Sequence, residues 1–321
     1  MADNAEGDIF VYKGGRAPLH VTHVLIDKSV DEIEEEAFRD CERLLQVETH
    51  DGIRKVGKRA FYNCKLLGQI NLRSAVEIGY AAFYGCVSMA DVEFGDELET
   101  IRTGALCGCN TLEHLKLPSI VNIKMGAFTG CTRLIDIELS ERLETIGART
   151  FWSCRCLQRI AIPMKRDLIS DQFWRHEYNQ FGYCEQLTTI DLVGGIHKTV
   201  ASLHMESWRT DMLAEINRIN QVLPVTPTNE KTNVIREWMG SVVDKMDHYK
   251  AEHCRYVKEG TTLLELALWK AKLGEKEENT GMAEGKSKKA KVDVEFVRMQ
   301  KRIVCCADMV IKNVLPFLQL E

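Results

Sequence analysis

Seven cysteines, Cys41, Cys64, Cys86, Cys109, Cys131, Cys154 and Cys184, recur at near-constant spacing and are the first residues here with reactive chemistry to explain. Thiols can pair as disulfides, ligate zinc or act as nucleophiles. If the seven sit on successive rungs of a stack, neighbouring Cα atoms lie about 4.8 Å apart. Their side chains then run parallel and do not converge as a disulfide requires. The spacing therefore predicts a ladder of small, buried, reduced thiols. Two C-x-C pairs, Cys107 with Cys109 and Cys154 with Cys156, each give one member to that ladder. Adjacent Cys305 and Cys306 have no second pair at zinc-finger spacing.

Other candidates for chemistry are weaker. HYKAEH places His248 and His253 five residues apart, about 500° around a helix, so the rings point away from each other and cannot share a metal as an H-x-x-E-H motif does. YKGGRAP, with Gly14 and Gly15, lacks the G-K-S/T of a phosphate loop and reads as a turn. KSKKAK, with Lys286, Lys288, Lys289 and Lys291, reads as a solvated loop, with a nuclear import signal or phosphate-seeking patch as the alternative. No G-x-S-x-G or G-x-G-x-x-G is present. The reading from these residues is no catalytic group, no cofactor and no metal.

The elements that must position these residues are repeats. Cut after each ladder cysteine, the chain falls into blocks 42–64, 65–86, 87–109, 110–131 and 132–154, of 23, 22, 23, 22 and 23 residues. A partial unit ends at Cys41, and a stretched unit of 30 residues, 155–184, ends at Cys184. The alternation doubles the period: Phe38 to Phe83, Phe61 to Leu106, Phe83 to Phe128 and Leu106 to Phe151 are each 45 residues apart. Apolar residues fall three, six and eight positions after each ladder cysteine from Cys64 onward, as in Leu67, Ile70 and Leu72, with Thr49 at the eighth place after Cys41; the last two positions face one side of a strand. A further apolar position, five before the Phe, recurs as Ile33, Val56, Ile78, Ile101, Ile123 and Ile146. One block cannot bury these groups alone, so neighbours must stack into a solenoid.

The pattern C-x-x-L-x-x-I-x-L followed by I-x-x-x-A-F-x-x-C resembles the BspA-type leucine-rich repeats, over residues 20 to about 195. The wider layout is similar to a large family of intracellular proteins found in diatoms. It comprises DIFVYKGGRAPLHVTHVLIDKSV, the repeats, SLHMESWRTDMLAEINRINQVLP, TTLLELALWKAKL and VIKNVLPFL. The resemblance implies a ligand-binding scaffold and supplies no catalytic residue. Bacterial members of the class are surface adhesion proteins.

Strand alternation puts the positions five and seven after each ladder cysteine on the opposite, exposed face. These are Gln46 and Glu48, Gln69 and Asn71, Asp91 and Glu93, His114 and Lys116, Asp136 and Glu138, Arg159 and Ala161, then Thr189 and Asp191. Acidic rungs alternate with basic ones, so opposite charges face each other across strands, worth about 0.2 to 1 kcal/mol a pair. Such a strip either compensates itself or recognises a protein partner. The surplus of the stretched unit is expected in Arg166 to Tyr178. Its Phe173, Trp174 and Tyr178 have the composition of interface hot spots, with a loop packing its own rings as the alternative.

After Gly195 the period becomes helical. Trp208, Met212, Ile216, Ile219 and Leu223 share one face, which Pro224 ends. Ile235, Met239, Val242, Met246, Tyr249, Tyr256 and Leu263 follow, as one long helix or two with a break near Gly260. Trp208, Met212 and Ile216 are expected to cap the last rung, because an uncovered terminal rung exposes core and strand edge. GEKEENTGMAEGKSKKAK reads as a disordered loop, and Val294 to Leu315 as a last helix.

Of 321 residues, 42 are Lys or Arg and 47 Asp or Glu, a net charge of −5, which argues against a dedicated nucleic-acid-binding protein. MADNAEGDIF lacks the basic start and apolar run of a secretory leader, and no apolar stretch reaches the roughly 20 residues of a membrane helix. The expected location is cytoplasmic, with the nucleus as an alternative.

The expected fold class is α+β: a leucine-rich-repeat solenoid of short parallel strands and 22–23-residue rungs, then an α-helical C-terminal module. The expected divisions are a capping segment 1–22, the solenoid 23–195, a helical module 196–273, a disordered loop 274–291 and a C-terminal helix 292–321. The expected function is a non-enzymatic protein-binding scaffold, able to form a homo-oligomer or coiled coil through its C-terminal helices. One rival is an enzyme at the solenoid–helix junction using His197, His204 or Cys184. Another is a nuclear adaptor using the lysine loop.

Overall fold

The computed structural model describes residues 9–169, 179–193 and 206–279. Each repeat contributes two short strands separated by turns, and like strands of successive repeats pair in parallel. On one side lie β1 (Phe10–Tyr12), β2 (His23–Ile26), β4 (Gln46–Glu48), β6 (Gln69–Leu72) and β8 (Asp91–Phe94), hydrogen-bonded in that order. They are followed by a four-stranded group of β10 (His114–Lys116), β12 (Asp136–Glu138), β14 (Arg159–Ile162) and β15 (Thr189–Leu192). The other sheet is made of two-residue strands: β3 (Glu32–Ile33), β5 (Lys55–Val56), β7 (Glu77–Ile78), β9 (Thr100–Ile101), β11 (Asn122–Ile123) and β13 (Thr145–Ile146). This is a parallel-strand leucine-rich-repeat solenoid followed by helices.

Register follows the repeat. Ile33, Val56, Ile78, Ile101, Ile123 and Ile146 pair in one unbroken row, and Val47, Ile70 and Val92 pair in another. All face the core. Phe38, Phe61 and Phe83 stack with centroids 5.0 and 5.1 Å apart and rings within 6° of parallel, the offset geometry that aromatic quadrupoles favour. Leu106 interrupts the stack, which resumes at Phe128, Phe151 and Phe181 with 5.6 Å steps. Tyr12, on β1, closes its N-terminal end at 4.9 Å from Phe38.

The turn carrying the Phe needs two left-handed residues per rung, two before and two after the Phe. The first set reads Glu36, Arg59, Ala81, Gly104, Gly126 and Arg149, with φ between 49° and 64°. Where the set is not glycine, an L-residue holds a conformation that costs roughly 1–2 kcal/mol.

The last rung is closed by helix α1 (Glu206–Val222) and the first turn of helix α2 (Lys231–Asn279), with a 3₁₀ turn at Leu223–Val225 between them. Trp208, Met212, Ile216, Ile219 and Leu223 are all buried, as their spacing requires. Three side chains replace the hydrogen bonds a further rung would supply. The Phe38 N–H donates to the Ala60 carbonyl of the next rung, and the pattern continues to Phe151 and Gln180; the Phe181 N–H instead donates to Thr232 Oγ1 at 3.1 Å. Asn220 pairs with both backbone groups of Ile190. Lys231, buried, donates Nζ to the carbonyls of Cys184, Glu185 and Leu187 at 3.1, 3.2 and 2.7 Å.

The chain divides into two compact units, Met1–Lys245 and Met246–Glu321, at a point inside α2. In the first, Ile235, Met239 and Val242 are buried. In the second, Tyr256, Val257, Leu264, Leu268 and Trp269 are exposed. The helix passes through Gly260 without a break and carries on to Asn279, into the stretch expected to be a loop. No helix among the described residues is long and apolar enough to cross a membrane.

Candidate partner-binding face

Six of the expected surface residues meet around one cavity. Gln46, Gln69 and Asp91 form one row across β4, β6 and β8, and Asn71 pairs with Glu93 in the next, beside Glu48. All six are exposed and, with Val47, Thr49 and Ile70, line a cavity of about 360 Å³. Strand alternation accounts for the arrangement: Val47, Ile70 and Val92 turn inward, so their neighbours must turn outward. Arg73 pairs with Glu93 at 3.0 Å.

Farther along the face the charges are already matched. Arg159 Nη1 lies 2.8 Å from Asp136 and Nη2 2.8 Å from Asp191, bridging the strands on both sides. The hydrogen bond to Asp191, then that to Asp136, hold the guanidinium charged against the cost of its partial burial. His114 pairs in register with Asp136, and Lys116 with Glu138. His114 and Lys116 are exposed, whereas Asp136, Glu138 and Arg159 are half-buried. Ala161, expected on this face, is instead fully buried: in register its methyl lies between the longer side chains of Glu138 and Asp191. Phe173, Trp174 and Tyr178 lie outside the described residues, as do His197, His204, Cys305, Cys306 and the lysine run 286–291.

The cysteine ladder occupies the core. Each ladder thiol from Cys64 onward donates to a carbonyl of the preceding rung, Cys64 to Phe38 at 3.0 Å and Cys184 to Phe151 at 3.0 Å. Burial pushes the Cys86 and Cys184 thiols up to about 12 and the Cys41 thiol up to about 11. Cys184 is thus a poor nucleophile. Among the described residues no group of three or more His, Cys, Asp or Glu is placed to hold a metal.

Sequence reasoning missed an aromatic strip on the turn edge. Tyr62 and Tyr84 stack at 5.0 Å, Arg39 and Arg59 lie 5.7 and 5.9 Å from the Tyr62 ring, and Arg59 is also 5.8 Å from Tyr80. The signal was present: the position after each ladder Phe or Leu reads Arg39, Tyr62, Tyr84, Cys107, Thr129 and Trp152.

Parallel rungs of this length, with a polar strand face over a Phe and Cys core, define a leucine-rich-repeat protein. The chain belongs to the BspA-type leucine-rich-repeat family: the profile described as BspA type Leucine rich repeat region (6 copies) matches residues 18–122, 67–188 and 113–210. Among solved structures it is similar to the T. pallidum leucine-rich repeat protein, with 26% identity, 56% of this chain and 82% of that one covered, and a TM-score of 0.47. A leucine-rich repeat protein from Bacteroides ovatus is 22% identical, with 54% and 55% covered and a TM-score of 0.38. The pneumococcal vaccine antigen PcpA is 18% identical, with 53% and 62% covered and a TM-score of 0.33. No curated protein matches the chain.

Proposed function

We propose that this chain is a non-enzymatic scaffold that binds a protein partner inside the cell, through the outward face of β4, β6, β8 and β10. The observation that carries the reading is the cavity in that face, lined by Gln46, Glu48, Gln69, Asn71, Asp91 and Glu93. Its floor is strand backbone, which presents a fixed surface, and repeat proteins bind partners over such extended surfaces. The enzyme alternative loses support from Cys184, whose thiol is buried and bonded to a carbonyl.

The test is site-specific photo-crosslinking of the intact chain in cells. A benzophenone side chain at Gln69 is expected to trap a discrete protein, and one at exposed Thr145, on the other sheet, is not. Equal trapping from both positions, or none from Gln69, rejects the reading.

A further inference from the structure

We propose that the cavity over β4, β6 and β8 is the seat for a basic side chain, lysine or arginine, of an extended segment of the partner. The inference rests on the binding reading above and adds its chemistry. Three carboxylates, Glu48, Asp91 and Glu93, border the cavity, and Arg73 pairs with Glu93 alone. Glu48 and Asp91 have no ion-pair or hydrogen-bond partner among the described residues. A partner that covers this face takes both carboxylates out of water, and an uncompensated desolvated charge is costly. The partner must therefore bring cations of its own.

The rest of the same face shows the contrast. There Arg159 already spans Asp136 and Asp191, so a covering partner needs no charge of its own at that place. The amides of Gln46 and Gln69 complete the seat: their carbonyls accept from an ammonium or guanidinium, and their NH₂ groups donate to the partner's backbone; the Asn71 Oδ1 already accepts from the Arg73 N–H at 3.1 Å, which leaves its NH₂ to donate. At about 360 Å³ the cavity is at the small end of ligand sites, which run about 300–1,000 Å³, and suits side chains of a peptide better than a large cofactor.

A random peptide library displayed on phage and selected on the intact chain tests this. Selected peptides are expected to be enriched in Lys and Arg and to bind more weakly as salt rises. The variant Glu48→Gln/Asp91→Asn/Glu93→Gln, whose exposed positions leave folding intact by circular dichroism, is expected to lose about tenfold in affinity, equivalent to about 1.4 kcal/mol. Glu144→Gln, an exposed charge beside β13, is expected to leave binding unchanged. Peptides without basic residues, affinity indifferent to the triple variant, or failure to select any binder overturns the inference. If crosslinking from Gln69 still succeeds, the binding face stands and only the basic seat is lost; if it fails too, the binding reading falls with it.

Discussion

The side chain of Asn220 takes both backbone hydrogen bonds of Ile190. Its Oδ1 accepts from the Ile190 N–H at 2.8 Å and its Nδ2 donates to the Ile190 carbonyl at 3.1 Å. A carboxamide has the donor and acceptor of a peptide unit, so one helical residue imitates the strand that β15 lacks on its open side. Ile190 is fully buried, and water is a poor substitute. Asn220→Ala is expected to cost about 2–4 kcal/mol, because two buried groups lose their partners. Asn220→Asp, which keeps only acceptors, falls between. Urea unfolding measures both; a loss below about 0.5 kcal/mol for the alanine variant, less than one ordinary hydrogen bond, contradicts the capping role.

Phe128 tests the aromatic stack. Its ring is fully buried and stacks on Phe151 at 5.6 Å. Phe128→Ala is expected to cost about 3–5 kcal/mol through lost burial and the cavity left behind, whereas Phe128→Leu, which copies the natural Leu106 rung, is expected to cost less. A surface-like loss for alanine in calorimetry contradicts the assigned register.

Thiol reactivity follows burial. Cys254 is exposed, and Cys41, Cys64, Cys86, Cys109, Cys131, Cys154 and Cys184 are buried. Alkylation of the native protein near pH 8, read by peptide mass spectrometry, is expected to modify Cys254 promptly. The seven ladder thiols are expected to stay unmodified until denaturant is added. Ladder labelling at the rate of Cys254 contradicts the fold.

Glu77 gives a pH prediction. Its hydrogen bond with Arg102 at 2.8 Å holds its carboxyl below the ordinary value of 4.5, against a smaller opposing effect of burial. A depressed folded-state value means that the unfolded chain binds the proton more tightly. The pair's contribution is therefore present above about pH 4.5 and is lost as pH falls through the folded value. The pair is partly exposed, so the contribution is under about 1 kcal/mol. Melting of wild type and Glu77→Gln is expected to differ at neutral pH and to converge in acid; a constant gap contradicts the assignment.

Ala81 holds φ at 49°, where the equivalent residues on the next two rungs are Gly104 and Gly126. Ala81→Gly relieves that strain, and even after glycine's greater loss of chain entropy it is expected to stabilise the protein by about 0.5–1 kcal/mol. A destabilised variant in chemical unfolding shows that the alanine methyl, buried in this rung, contributes more than the strain costs.

Much of this was legible in the residues. The strand register and the polar face follow from strict alternation, and a single slip would invert every side chain. The bridging of Asp136 by Arg159 follows from their matching offsets after the cysteine. The cap was legible only as an apolar helix face. Nothing local marks Asn220, Lys231 or Thr232, because each acts through a partner at least 30 residues away. At Gly260 the sequence allowed either one long helix or a break; the helix cost of about 1 kcal/mol is small beside the propagation of the flanking turns, so α2 continues through it.

The alternating rung lengths couple repeats that are not neighbours. Arg54 pairs with Glu97, and Arg142 with Glu99 at 3.0 Å, each across 43 residues. All four residues belong to 23-residue blocks, so these side chains reach over the 22-residue rung between them. The smallest segment by which this solenoid can be lengthened in phase is thus a long–short couple of 45 residues, such as 65–109. Inserting one rung alone would place two long turns side by side and carry these arginines past their carboxylates. Duplication of such a couple would keep the Arg54–Glu97 and Arg142–Glu99 type of pairing in reach across the array.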